Sequence, residues 1–370
     1  MSALERMCFL VTGDTRLNDN SIEMYDPKQK RTFLKRTKTQ DLALTDFHIG
    51  AAVNVYARQL TIVDYGDEFT RGKLAQTLES ALVIIKPDAI DQAGEIIDIL
   101  ISNHNYTIRN LRMLSISRKL AEELCMVTFG GKPYFNDIVS SLTGGSSIAL
   151  EVTKPNAHTH LTTITGPAIV ADARAQAAQS LRARFGHAGY KNGLHISSSA
   201  SSAKVELSAV FNHSAATAAR TAVFKNSTLA LVRPHAVYAG LTGKIMASIV
   251  QNGFRISDAQ SFSLDRVNAE EFLEVYKTVV PEYQKIVDQL MSGPLVALEV
   301  SGGPDKEHIV SSFREIVGPT DPELARKLRP KSLRALYGVN KIKNAVHCTD
   351  LEDDGVLEVQ FFFRIMANVV

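Results

Sequence analysis

The chain has 370 residues, 45% of them apolar, and 41 basic against 39 acidic side chains give a formal charge of +2. That length holds two or three domains with packed cores, and so even a balance excludes global steering toward nucleic acid or a membrane surface. Cys8, Cys125 and Cys348 lack the spacing of a zinc or disulfide framework, the N-terminus does not read as a secretory signal, and no apolar run is long enough to span a bilayer. The expectation is a cytoplasmic chain in a reducing compartment.

In chain order, residues 1–75 read as short strands (MCFLV, SIEMYD, RTFLKR, AVNVYARQLTIVDYG) broken by Gly, Asp, Asn and Pro. Alternation of Val53, Val55, Leu60 and Ile62 with more polar neighbours predicts a half-buried sheet in a small all-β module, fit for docking rather than catalysis. The basic run KQKRTFLKRTK at 28–38 reads as the solvated face of a hairpin or as a patch for an acidic partner. Residues 76–213 predict a strand at 82–86, a helix at 94–103, a strand at 107–116, helices at 118–128 and 134–142, and a strand at 146–152. Weak helix follows at 156–166 and Ala-rich helix at 171–186, and SSSASSA at 197–203 predicts a flexible loop. Residues 214–227 read as a linker. Residues 228–370 predict a strand TLALVR, a helix at 243–252, a strand at 254–264 and a helix AEEFLEVYKTV capped by Asn268. A strand at 294–300, an amphipathic helix at 305–317 and a last element at 356–366, helix or strand, complete the series. The order β-α-β-β-α-β, met twice, predicts an α/β (α+β) chain with two ferredoxin-like domains.

The second domain repeats the first. LVIIKPDAI (82–90) returns as LALVRPHAV (229–237), and Asn192, His195 and Glu206 return as Asn344, His347 and Glu358 at a constant offset. A carboxylate that binds one imidazole nitrogen leaves the other as a nucleophile. Arg182 and Arg334, each thirteen residues before its histidine, suit a phosphate substrate. A structural duplication without activity is the alternative at this point.

IKPDAI (85–90), RALYG (334–338) and NAVHCTD (344–350) resemble the nucleoside diphosphate kinase family, whose signature runs Asn, a variable pair, the catalytic His, a small residue, Ser or Thr, and Asp. RTFLKRTK (31–38) and HIGAAVNVYARQLTIVDYGDEFT (48–70) are similar to DM10 modules, with a shortened opening between Val11 and Ser21. The resemblance implies transfer of a terminal phosphate from ATP or another nucleoside triphosphate, through phosphohistidine, with Mg²⁺. It implies roles in the first repeat for His195 as nucleophile and for Lys86, Arg182, Asn192, Ser197 and Glu206, with Tyr134 as the ring that stacks on the nucleobase. In the second repeat it implies His347 as nucleophile, with Arg314, Thr320, Arg334, Asn344, Thr349, Glu358 and Tyr276, and Tyr283 as the stacking ring. The first repeat departs from the family at Thr162, Ala168 and Met126, which stand where Arg, Thr and Tyr are expected. The second departs at Arg233 for the lysine and His235 for the aspartate. Family members that join a DM10 module to two kinase domains lie inside ciliary and flagellar doublet microtubules. The resemblance therefore implies tubulin, other axonemal proteins and the γ-tubulin ring complex as partners, an axonemal location, no membrane and no specific nucleic acid. Since neither repeat holds the complete set, the expectation puts an architectural role as a microtubule inner protein first. Kinase activity is the alternative, and the two repeats are expected to pack as an internal pseudo-dimer.

Overall fold

The computed structural model describes residues 10–13, 21–27, 29–38, 52–55, 58–62, 64–67, 70, 78–211, 218–302 and 308–368. Two compact units divide the chain, Met1–Leu78 and Glu79–Val370.

In the first unit β1 (Leu10–Gly13), β2 (Ser21–Asp26) and β3 (Arg31–Lys38) form an antiparallel sheet, and β4 (Ala52–Val55) pairs with β5 (Arg58–Thr61). Ile22, Met24, Val53 and Val55 are buried together, with Leu34, Leu60 and Ile62 against them, so the alternation along these strands does mark the inward face. β3 is exposed over most of its length. Residues 7–9 of the first expected strand and Lys28 of the basic run lie outside the described residues.

The second unit is built on β6 (Leu78–Ile85), β7 (Thr107–Ile116), β8 (Ser146–Pro155) and β9 (Leu194–Ile196), in the order β7-β8-β6-β9. The second repeat gives β11 (Ser227–Val232), β12 (Arg255–Phe262), β13 (Leu295–Ser301) and β14 (Val346–Cys348), in the corresponding order β12-β13-β11-β14. β7 meets β12 edge to edge at Arg112 and Gln260, which makes one nine-stranded sheet, with β10 (Ala218–Ala219) paired to β7. The apolar runs LVII and LALV exist because both faces of their strands are covered. Leu82 and Ile84 pack with the helices Arg118–Phe129 and Phe135–Thr143, while Val83 and Ile85 face a core shared by both repeats. In that shared core the helix Ala93–Asp98 lies against Thr242–Gln251, and the expected internal pseudo-dimer is present.

Four expectations fail for local reasons. The serine run is not a loop: a helix, Ala200–Phe211, starts inside it, and Ser199 Oγ accepts the Ser202 N–H at 3.2 Å as a cap. The segment 171–186 breaks into Val170–Gln176 and Leu181–Phe185, because Ser180 starts a new helix by accepting the Ala183 N–H. Asp265, not Asn268, caps the helix Arg266–Phe272, and Asn268 N–H donates to it at 2.8 Å. That helix stops at Phe272 and is followed by a short 3₁₀ turn at Glu274–Tyr276. Of the two options for 356–366, the chain takes helix, Gly355–Gln360, widening to a π turn over Phe361–Ile365.

Candidate active sites

Three elements build each site. A short strand (β9 or β14) carries the histidine, the end of β6 or β11 carries the buried cation, and a following helix carries the carboxylate. The histidine strand sits beside the cation strand: His195 pairs with Ile84 and His347 with Leu231.

In the second repeat His347 Nε2 lies 3.0 Å from Glu358 Oε2, and Thr349 Oγ1 donates to the same oxygen at 2.8 Å. That carboxylate fixes Nε2, so Nδ1 is the ring nitrogen left to take a substituent. The Phe272 ring meets the imidazole edge-on at 5.1 Å. Arg314 is paired with Asp350, and Tyr276 donates its hydroxyl to the other Asp350 oxygen at 2.5 Å. Burial and Asp350 together raise the Tyr276 hydroxyl pKa, which keeps it a donor. Arg334 donates to Val346 O at 3.0 Å and to Gly318 O at 2.9 Å, and Asn344 Nδ2 donates to Thr320 O at 3.3 Å. Arg233 donates Nη1 to Ile342 O at 2.8 Å. Its Nε and the Asn344 Oδ1 have no partner among the described residues. Burial, then the nearby Arg334, pushes Arg233 down to about 9. Tyr283 begins the helix Tyr283–Leu290 and donates to Glu270 O at 3.4 Å.

The first repeat assembles the same parts with a different fit. Lys86 Nζ donates to Ser141 Oγ at 2.9 Å, Tyr190 O at 3.0 Å and Asn192 Oδ1 at 2.9 Å. Burial, with Arg182 second, pushes its pKa down to about 7. Asn192 Nδ2 donates to Ala168 O at 2.6 Å, and Arg182 Nη1 to Gly166 O at 2.7 Å. His195 Nε2 stands 3.6 Å from Glu206 Oε2, an electrostatic contact beyond hydrogen-bond reach, while Ser197 Oγ takes that oxygen at 2.6 Å. Burial works against the Glu206 charge, yet His195 and Ser197 hold its pKa below the usual carboxylate range. Thr162, at the position expected for an arginine, turns its hydroxyl back to His158 O at 2.9 Å, and Met126, at the position expected for a tyrosine, is exposed. Tyr134 already stacks on Tyr190, centroids 5.1 Å apart.

The model of the family described as nucleoside diphosphate kinase matches residues 79–216 and 226–367, one copy over each site. The chain belongs to the nucleoside diphosphate kinase family. It is 45% identical over 351 residues to the nucleoside diphosphate kinase homolog 7 of Rattus norvegicus, covering 95% of this chain and 87% of that one. The homolog 7 of Mus musculus matches over the same extent at 45%. The nucleoside diphosphate kinase of Aquifex aeolicus (strain VF5) is 39% identical over 136 residues, which is 37% of this chain and 92% of that protein.

As a two-domain member of the nucleoside diphosphate kinase family, the chain has site groups that sequence reasoning passed over. Asp350 was in view only as a motif letter, yet it organises Arg314 and Tyr276. Ser141 and the Tyr190 carbonyl complete the Lys86 cradle, and the one available signal was their nearness in sequence to residues already chosen.

Proposed function

We propose that the chain is a nucleoside diphosphate kinase whose working site is the second repeat, with His347 Nδ1 carrying the phosphoryl group between nucleotides. The observation that carries this reading is the 3.0 Å contact of His347 Nε2 with Glu358. Glu358 accepts a hydrogen bond from Nε2–H, so Nδ1 keeps the lone pair that attacks the terminal phosphorus of a nucleoside triphosphate. The P–N bond forms as the bond to the diphosphate oxygen breaks, and the imidazole's positive charge rests against the carboxylate. A second nucleoside diphosphate then attacks through its terminal phosphate oxygen, the P–N bond breaks and His347 is restored. Arg314, Arg334 and Tyr276 supply charge and donors for phosphate oxygens, a term that usually outweighs proton transfer in such reactions. Mg²⁺ would arrive on the nucleotide's own phosphates and neutralise their charge, with Asp350 as the carboxylate at hand. The first repeat keeps the Lys86 cradle but lacks a charge at Thr162 and a hydroxyl at Ala168, and is assigned nucleotide binding with slower transfer. The strand order β7-β8-β6-β9, and its twin, support reading each domain as a ferredoxin-like βαββαβ fold.

The test is acid-labile label from γ-labelled ATP on the intact chain, on His195→Ala and on His347→Ala. Label is expected to survive the first substitution and to fall at least about tenfold with the second, as loss of a nucleophile demands. Undiminished label in His347→Ala overturns the assignment.

The architectural role, placed first by the resemblance, moves to second place, since the family match and the aligned His347–Glu358 pair favour chemistry. It stays a proposal because β3 presents Arg31, Lys35, Arg36 and Lys38 on an exposed strand, a charge suited to the acidic surface of tubulin or another axonemal protein. The DM10 reading of the first unit and an axonemal location go with this proposal. Lys35→Glu with Lys38→Glu is expected to weaken co-sedimentation with microtubules several-fold, chiefly at low salt. Equal co-sedimentation of the parent and the double variant would remove this surface from consideration.

A further inference from the structure

The backbone that presents each nucleophile bends two residues ahead of it. Gly193 (φ 77°) and Ala345 (φ 70°) both lie in the left-handed region, which glycine tolerates and which strains alanine. At Ala345 the strain is greater still, because Val346 N–H closes onto Asn344 O at 2.9 Å, a three-residue turn whose central φ has the sign of the rarer, strained hand. Such a conformation persists only where its surroundings hold it. Two bonds do so in each repeat. The carbonyl accepts the N–H of the buried cation, Lys86 or Arg233, at 2.9 Å in both. The N–H is held by the side chain two residues beyond that cation: Asp88 Oδ2 takes Gly193 N–H at 2.9 Å, and His235 Nε2 takes Ala345 N–H at 3.1 Å.

We propose that His235 is a protonation-dependent positioning residue of the second site: neutral, it holds the Ala345 N–H and with it the line-up of His347 on Glu358, and protonated, it releases both. An imidazole that accepts at Nε2 must carry its proton on Nδ1. Nδ1 lies 3.1 Å from the Gln289 amide nitrogen, and a half-turn of that amide brings its oxygen to Nδ1–H, which also gives a partner to the otherwise unpartnered buried Gln289 Oε1. A protonated imidazole has no lone pair, so the Ala345 N–H, in a fully buried residue, loses its acceptor. Asp88 in the first repeat has no such limit, since a carboxylate accepts throughout the neutral range.

Charged groups flank His235 on the elements packed against it. Arg233, two residues before it, is buried and feels Arg334. The helix Tyr283–Leu290 turns the neutral Gln289 toward it and keeps Lys285 and Asp288 exposed. The loop before β14 contributes Lys341, exposed and 3.6 Å from the Asp321 carboxylate, and Lys343, half-buried. On β13 the one charged residue is Glu299, which is engaged by Val223, Phe224, Ser227 and Ser257. Among the described residues no carboxylate offsets Arg233, whereas Asp88 offsets Lys86.

The inference rests on reading the second site as the kinase site, and the experiment separates the two. The full chain with His195→Ala, so that only His347 takes label, is compared with and without His235→Asn. An amide oxygen accepts at every pH, and Asp88 shows that a side chain of this length reaches. Alkali-quenched labelling of His347 from γ-labelled ATP is timed at about pH 8 and about pH 6, the interval in which imidazoles titrate. The rate is expected to fall at least about tenfold further in the chain that keeps His235 than in His235→Asn. Superimposable profiles overturn the inference. A chain that takes no label at any pH defeats the kinase reading alone, and the Ala345 amide resonance then decides. It should move between these pH values with His235 present and stay in place in His235→Asn; equal movement in both overturns the inference.

Discussion

Lys86 and Arg233 occupy one position in two copies of a domain, and burial acts on them to different effect. Lys86 is pushed down to about 7, so it loses its proton near neutrality, while Arg233, pushed to about 9, stays charged. The exchange of Lys for Arg therefore keeps a fixed cation in the second site, at the cost of the bond to Asn344 Oδ1 that the ammonium makes to Asn192. Folded Lys86 lies below its unfolded value of about 10.4, so between about pH 7 and 10 the unfolded chain binds a proton that the folded chain does not. Its contribution to stability is least favourable below about pH 7 and improves as pH rises through that window. A phosphate placed on Lys86 reverses the burial penalty and raises its pKa, so nucleotide binding at about pH 8 should take up as much as about one proton. Calorimetric titrations in buffers of different ionisation enthalpy would show this as a slope in apparent enthalpy. The slope should shrink in Lys86→Met and persist in Arg233→Met. Equal slopes in the parent and Lys86→Met would mean that Lys86 does not meet the phosphate.

At the scale of elements, the strands were legible where burial on both faces leaves one signature, an unbroken run such as LVII or LALV. The core helices around them were legible to within a few residues. What misled was polar composition. SSSASSA reads as a loop, yet Ser199 caps a helix whose buried Ala203, Glu206, Ala209 and Val210 follow at helical spacing. Asp265 and Ser180 likewise act through cap geometry, which a propensity sum does not contain. The site histidines were legible because they are repeated with their partners. The quality of each pairing was not, since 3.0 Å against 3.6 Å at the carboxylate depends on which hydroxyl competes for it. Equally hidden was the clasp on the segment that leads into the second repeat. Asp258 and Glu299 read as ordinary strand charges, but they accept the N–H groups of Ala222, Val223 and Phe224 and so pin the segment that enters β11. Burial pushes Asp258 up to about 7 there.

At the scale of the whole second unit, two glycines decide how the copies meet. A Cβ on Gly94 would lie 2.3 Å from Ala247 N, and one on Gly243 would lie 2.3 Å from Asp98 N, each glycine facing the backbone of the other repeat's helix. The shared core and the β7–β12 edge, where Leu111 N–H donates to Ser261 Oγ at 2.9 Å, depend on that approach. Two effects of Gly94→Ala oppose each other. Helix propensity favours alanine by about 1 kcal/mol. Overpacking against backbone, which cannot rotate away, costs typically about 1–3 kcal/mol. The contact should win, giving a net loss of up to about 2 kcal/mol and a melting temperature lower by a few degrees for a unit of this size. Gly243→Ala should behave the same. The double substitution should cost less than the two singles together, because once one Cβ has parted the helices the second meets an opened gap. Scanning calorimetry on all three variants would measure this. Substitutions that raise the melting temperature by the propensity term alone would show that the helices do not touch at these glycines, and the two kinase domains would then be joined by the sheet edge without this helix contact.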